Sequence, residues 1–269
     1  MGSGFRAPAA GQVVTGAFLR LNEFYLLFAD PVVPFVSARG HLMVPARIAG
    51  ALLSMDVRFD SRRGEIAVQG AVKNPLRITR GAAVADWAGA SYPMPEPALS
   101  LPGTADLLVP VALLAHALGE PLRWNARTRT ATIRSRQAMK TASSFDDLQT
   151  GYLAEGSPTD DFAPVSLALL PPPRRRKELL DDNAPRVVFT MRNVSGRNIA
   201  RGGAFLKTLN FTDPNGLSIE GVPYNSPDIH TPSPPSVKAG ATLSATIPIL
   251  GGYGSQQIRC IVAVPQRSR

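Results

Sequence analysis

The chain is short of the residue types on which most enzyme and metal chemistry depends. Its 269 residues include one cysteine and three histidines. Cys260 alone can form no internal disulfide and no cysteine-based zinc site, and its alternation with Ile258 and Val262 suits a small buried hydrophobe. No two histidines stand at ligand spacing: His41 precedes an expected strand, His116 falls in an expected short helix and His230 lies in a proline-rich loop. No stretch approaches the ~18 to 20 apolar residues that a membrane-spanning helix needs. The N-terminus also lacks a basic start followed by a clear apolar block, since Gly11 to Leu19 is too short and too polar.

Catalytic and nucleotide-binding signatures are equally scarce. No serine sits in a Gly-x-Ser-x-Gly elbow. Gly202-Gly203 and Gly251-Gly252 lack the lysine and following helix of a phosphate loop and read as turns. Asp213-Pro214-Asn215-Gly216 lacks the later bidentate acid of a calcium loop and reads as a β-turn. Asn193-Val194-Ser195 and Asn210-Phe211-Thr212 fit the glycosylation pattern. No catalytic residue is nominated and no cofactor is expected, although a triad can assemble in space from distant segments.

What is present is turn-forming residues, positive charge and a repeat. The 25 prolines and 23 glycines, with 7% aromatics, favour short strands joined by turns. Lysine and arginine exceed acids by 9, and residues 1–140 hold 16 basic against 9 acidic side chains, so most of the excess lies there. Sliding the chain by 65 positions lays Leu42-Met43-Val44-Pro45 on Leu107-Leu108-Val109-Pro110, and Val57-Arg58-Phe59-Asp60 on Leu122-Arg123-Trp124-Asn125, without a gap. Each copy reads as a strand, a short helix starting near Pro45 or Pro110, and a hairpin with one apolar face. Ile48, Leu52 and Leu53 share a face of the first helix; Leu113, Leu114, Ala117 and Leu118 fill the second, which Gly119 stops. Phe59 and Trp124 are expected in the core. One copy is too small to bury its own apolar surface, so two are expected to share one core. The apolar runs Phe24 to Phe28 and Leu99 to Leu101 are expected to add a strand to each.

The organisation that follows is an N-terminal extension over 1–19, a duplicated α+β domain over 20–136 with copies at about 20–70 and 71–136, a linker over 137–185, and an all-β domain over 186–269. The linker reading rests on its serine, aspartate and proline runs, with a short helix expected around Phe145 to Leu153. Beyond Arg186, strands are expected at Val187 to Met191, Ala204 to Phe211, Leu217 to Val222, Ala241 to Leu250 and Ile258 to Val264, which suits an antiparallel β-sandwich.

Leu107 to Ile133, with its Leu-Val-Pro lead, Leu-Gly stop, apolar-Arg-Trp-Asn segment and threonine-rich closing strand, resembles the repeat of the copper amine oxidase N-terminal-like stalk domain. Leu42 to Val68 resembles a more divergent copy, with Ser54 in place of the glycine and Phe59 in place of the tryptophan. The resemblance implies an α+β unit of exported bacterial envelope proteins, without the copper ligands, which belong to another domain of those oxidases. The segments Val187 to Asn193, Leu209 to Asp213 and Lys238 to Leu243 are similar to small immunoglobulin-like sandwiches of bacterial surface proteins.

The basic residues are the most suggestive functional material. Arg58, Arg62, Arg123 and Arg127 coincide at the 65-residue offset, with Arg63, Arg129, Arg134 and Arg136 nearby. If Val57 and Phe59 point inward, Arg58 points out, and so does Arg123, so two arginine-bearing hairpins side by side could bridge to a polyanion. Arg174, Arg175, Arg176 and Lys177 follow three prolines and add a concentrated positive run. The expectation is a non-catalytic extracytoplasmic protein of the bacterial envelope, adhering to or docking a protein or an anionic envelope polymer. Its leader would be missing from this chain, with Met1-Gly2-Ser3-Gly4 as an added start; a cytoplasmic location is the lesser option. The alternative is a nucleic-acid-binding protein using the basic face, and a weaker third is an enzyme with its site between the domains.

Overall fold

The computed structural model describes residues 16–28, 33–70, 75–100, 106–135, 156–170, 186–199, 203–211, 219–221, 236–248 and 258–268. The expected helix at Phe145 to Leu153, the Arg174 to Lys177 run, Arg136, His230, Gly251-Gly252 and the turn at Asp213 to Gly216 lie outside the described residues.

The first described strands are β1 (Phe18–Leu21) and β2 (Phe24–Phe28), joined through Asn22, which takes a positive φ of 54°. β3 (Phe35–Val36) and β4 (Leu42–Pro45) follow, then helix α1 (Ala46–Leu52). Pro45 closes the strand and stands just before the helix, in an extended conformation, where its missing N–H costs no intrahelical bond. An antiparallel meander of five strands comes next: β5 (Asp56–Asp60), β6 (Glu65–Gln69), β7 (Leu76–Thr79), β8 (Val84–Trp87) and β9 (Ala90–Pro93). One face of it, carrying Ile66, Val68, Leu76, Ile78 and Ala85, is buried in the main core. The other face presents Arg58, Arg77 and Asp86 to solvent.

The strands β10 (Leu99–Ser100) and β11 (Leu107–Pro110) lead into helix α2 (Val111–Leu118), which Gly119 ends in the left-handed conformation with φ 72°. The hairpin β12 (Leu122–Asn125) and β13 (Thr130–Ile133) completes a second run of strand, helix and hairpin in the order of β4, α1, β5 and β6. β4 and β11 pair antiparallel with Val44 opposite Val109, Met43 opposite Pro110 and Pro45 opposite Leu108. Val44 and Val109 are 65 positions apart, so the pairing is centred on residues that occupy the same place in the two runs. Around that pair a four-stranded sheet forms in the order β10-β11-β4-β3, and both helices bury their apolar faces in the same core.

The segments beyond residue 135 form β14 (Gly156–Pro158), β15 (Phe162–Leu170), β16 (Arg186–Asn193), β17 (Gly203–Phe211), β18 (Ile219–Gly221), β19 (Thr242–Pro248) and β20 (Ile258–Ser268). The β-rich character expected from the turn-forming composition is present, and among the described residues helix is confined to α1, of seven residues, and α2, of eight. One expectation is corrected here: residues 156–170 are not structureless linker. Phe162 to Leu170 pairs along β16, because its apolar residues, Phe162 and Leu167 among them, find a partner sheet that the local proline and acid content does not announce. The Asn193 glycosylation pattern is structural too. Its side chain is fully buried and donates to the carbonyls of Arg197, Val237 and Lys238.

β1 and β2 are the wall between two cores. The eight-stranded sheet runs β12-β13-β1-β2-β20-β17-β18, with β14 also on β20. Along β2, Phe24, Leu26 and Phe28 enter the main core, while Tyr25 and Leu27 enter a second core with Phe162, Leu167, Phe189 and Met191 of β15 and β16. A strand with both faces covered reads as a continuous apolar run, as Phe24 to Phe28 does. Each such side chain contributes about 2 kcal/mol by burial. Because Leu26 pairs with Val262 and Phe28 with Cys260, the N-terminal hairpin is hydrogen-bonded to the last strand of the chain.

Candidate anion-binding surface

The sequence-selected arginines sit at hairpin positions whose backbone is fixed by one device used twice. Asp60 Oδ1 accepts the N–H of Arg62 at 2.9 Å and of Arg63 at 3.2 Å. Asn125 Oδ1, 65 positions later, accepts the N–H of Arg127 at 3.0 Å and of Thr128 at 3.2 Å. An Asp or Asn side chain that reaches two and three residues ahead mimics a backbone turn. Arg62 and Arg127 therefore hold equivalent main-chain positions.

Their side chains have different surroundings. Arg58 is exposed, as the alternation around Val57 and Phe59 requires, and its guanidinium pairs with Asp56 at 2.8 Å. Arg62 is exposed, and Arg63 lies 3.7 Å from Asp60. Arg127 reaches the Val194 carbonyl at 3.3 Å, tying its hairpin to the end of β16. Arg123 is exposed on β12 opposite Thr132. The two hairpins are not side by side in one ribbon: β5-β6 belongs to the five-stranded sheet and β12-β13 to the eight-stranded one. The physical cause is that β13 finds β1 as a parallel neighbour, whereas β6 continues into β7. Trp124 is corrected as well. It is 43% exposed, because its strand is the outer edge of the sheet and only Leu122 reaches the core.

Three groups escaped the sequence reading. Arg20 lies in the cross-strand row Arg123-Thr132-Arg20-Tyr25, ion-paired to Asp160 and 5.0 Å from the centre of the Tyr25 ring. Burial pushes the Tyr25 hydroxyl above its ordinary value, with the Arg20 charge opposing. A lone charge inside an apolar strand, Phe18-Leu19-Arg20-Leu21, is the signal that marks it. Asp106 is buried and accepts the N–H of Leu107 at 2.8 Å and of Arg47 at 3.0 Å, so an acid preceding β11 supplies the acceptor that Pro45 cannot offer to the first turn of α1. Burial raises its carboxyl to about 7.

The third is an aromatic cluster. His116 of α2 stacks on Tyr92 with ring centres 4.3 Å apart and meets Trp87 edge-on at 4.5 Å. Both partners come from the β8-β9 hairpin, whose turn uses Ala88 at φ 56° and Gly89 at φ 81°. Each aromatic contact of this kind contributes about 0.5–1.5 kcal/mol beyond area burial. His116→Ala is expected to speed amide hydrogen exchange across β8 and β9 while leaving β15 and β16 unchanged. Uniform acceleration across both pairs would show that the cluster does not pin this hairpin.

Among the described residues no group of three or more His, Cys, Asp or Glu side chains is placed to hold a metal ion. No helix among them is long and apolar enough to cross a membrane. The family model of the copper amine oxidase N-terminal domain matches residues 26–133, less than half of the chain. No curated protein matches the chain.

Proposed function

We propose that the protein is a non-catalytic docking module of the bacterial cell envelope, built from a duplicated stalk-like α+β unit and an immunoglobulin-like sandwich, and that it engages an anionic polymer or an acidic protein face through exposed arginines. The observation that carries this reading is the disposition of charge: Arg58, Arg62, Arg123 and Arg127 are all on exposed hairpin positions, over two cores filled with apolar side chains. The family match at residues 26–133 supports it, since that part of the amine oxidases is not the part that carries their chemistry. The facing of β15 and β16 against β1 and β2 supports a sandwich. Exposed arginines without acid partners exert the stronger field, so Arg123 outweighs Arg58, whose charge Asp56 offsets.

The experiment is elution from a polyglutamate column in a salt gradient. The full chain should be retained, Arg123→Glu should elute at clearly lower salt, and Arg58→Glu should change elution less. Flow-through of the unsubstituted chain at low salt would defeat the reading. A second reading, single-strand nucleic-acid binding, gains support from Trp124, which is exposed on the edge strand β12 and could stack a base. In that case Trp124→Ala should lower affinity for an oligodeoxynucleotide and leave polyglutamate retention intact.

A further inference from the structure

The arginines of the β5-β6 tip do not act alone. The pairing of Glu65 with Thr79 brings the next residue of β7's chain, Arg80, beside the tip, where its N–H donates to the Gly64 carbonyl at 2.9 Å. Its guanidinium lies over Gly64: a Cβ built there would stand 3.5 Å from Arg80 Nε and 3.6 Å from Cζ. Arg62, Arg63 and Arg80 therefore gather at one end of the five-stranded sheet, all three exposed.

The acids nearby are already engaged. Asp60 accepts the two turn N–H groups and stands near Arg63, and Glu65 pairs with Arg77 at 2.8 Å. Arg62 and Arg80 pair with no carboxylate among the described residues. Counting Arg62, Arg63, Arg77 and Arg80 against Asp60 and Glu65 leaves two positive charges at a turn whose backbone is fixed in advance. The equivalent tip of β12-β13 differs, since Arg127 is turned to the Val194 carbonyl.

We propose that the tip formed by Arg62, Arg63 and Arg80 is a phosphate-binding site for a polymer whose repeating anion is phosphate and which carries no bases. A phosphate group presents oxygens in several directions and can engage guanidinium forks that do not share a plane, whereas one planar carboxylate saturates one fork. The turn Ser61-Arg62-Arg63-Gly64 and Arg80 include no aromatic side chain, and Phe59 packs toward the core, so the tip offers no stacking platform for a base. This site deepens the docking reading and rests on it.

The test is calorimetric titration of the full chain with inorganic polyphosphate, alongside polyglutamate and single-stranded DNA of matched charge. The triple substitution Arg62→Ala, Arg63→Ala, Arg80→Ala should weaken polyphosphate binding by about tenfold or more, the pair Arg123→Ala, Arg127→Ala by less than about threefold. All five side chains are on the surface, and an unchanged thermal midpoint verifies folding. The triple Arg→Lys variant, which keeps charge but loses the fork, should fall between. Equal binding by the alanine triple and the unsubstituted chain overturns the site while leaving the docking reading intact. Tighter binding of DNA than of polyphosphate overturns the choice of ligand. Absence of binding to all three polymers removes the docking reading itself.

Discussion

Gly70→Ala is expected to destabilise the protein by about 3 kcal/mol, the upper part of the range for forcing atoms into a packed interior. Gly70 follows β6 and is not in a left-handed conformation, so alanine meets no backbone penalty there. The cost is steric. A Cβ would stand 2.4 Å from the carbonyl oxygen and 3.0 Å from the carbonyl carbon of Ala117, with Met55 Cε also at 3.0 Å. A flexible methionine can swing away; a helix carbonyl cannot. Ala117 belongs to α2, whose Val111, Leu113, Leu114, Ala115 and Leu118 are buried with it, so relief requires shifting the helix against a close-packed core. Urea unfolding should show a lower midpoint at unchanged slope. Gly40→Ala is the control: nothing lies within 4 Å of its Cβ, and its φ of 86° alone should cost about 1 kcal/mol. Equal losses at the two sites would mean that the β6 end does not press on α2.

That contact also explains what the sequence could and could not tell. Local patterns carried the strands, helices and hairpins of residues 42–69 and 107–133, because alternation, Pro45, Pro110 and Gly119 act within a few residues. They carried the strands from Arg186 onward for the same reason: those expected at Val187 to Met191 and Ala204 to Phe211 are found at Arg186–Asn193 and Gly203–Phe211. Nothing local gives the partner of a strand. Tyr25 opposite Ala263 and Phe18 opposite Thr130 are pairings across most of the chain or a large part of it, and they decide that β1 and β2 wall two cores. Trp124 lies outside the core, which period-two alternation does not foretell, since it gives the face of a residue and not its distance from the sheet edge. Among the candidate site residues, the outward direction of Arg58 and Arg123 was legible from that alternation. The ion pair Arg58 to Asp56 is local, two positions apart on one face of β5; the Arg127 contact with Val194 and the placement of Arg80 over Gly64 were not legible, since each depends on where neighbouring segments come to rest.

Asp106 should make the protein less stable as pH rises through the neutral range, opposite to the usual behaviour of a paired carboxylate. Its carboxyl is raised from 3.8 to about 7, first by burial, against which the N–H groups of Arg47 and Leu107 and the charge of Arg47 work. The sign follows from proton counts. Between those two values the folded state holds a proton that the unfolded state has released, so the unfolding free energy falls with increasing pH. The contribution is full below about 4, declines from there and is exhausted above about 7, with a total of about 4 kcal/mol. Asp106→Asn keeps an oxygen to accept both backbone N–H groups and cannot ionise. It should match the unsubstituted chain near pH 4 and exceed it in stability at pH 8. Asp106→Ala removes the acceptor and leaves two donors buried, so it should lose about 1–2 kcal/mol near pH 4 relative to asparagine. Urea unfolding of the three proteins at pH 4, 5, 6, 7 and 8 measures this directly. Subtracting the asparagine curve from that of the unsubstituted chain cancels what the two proteins share and isolates the buried acid. A flat difference across that range would mean that Asp106 is charged in the fold throughout, held ionised by the first turn of α1 despite its burial.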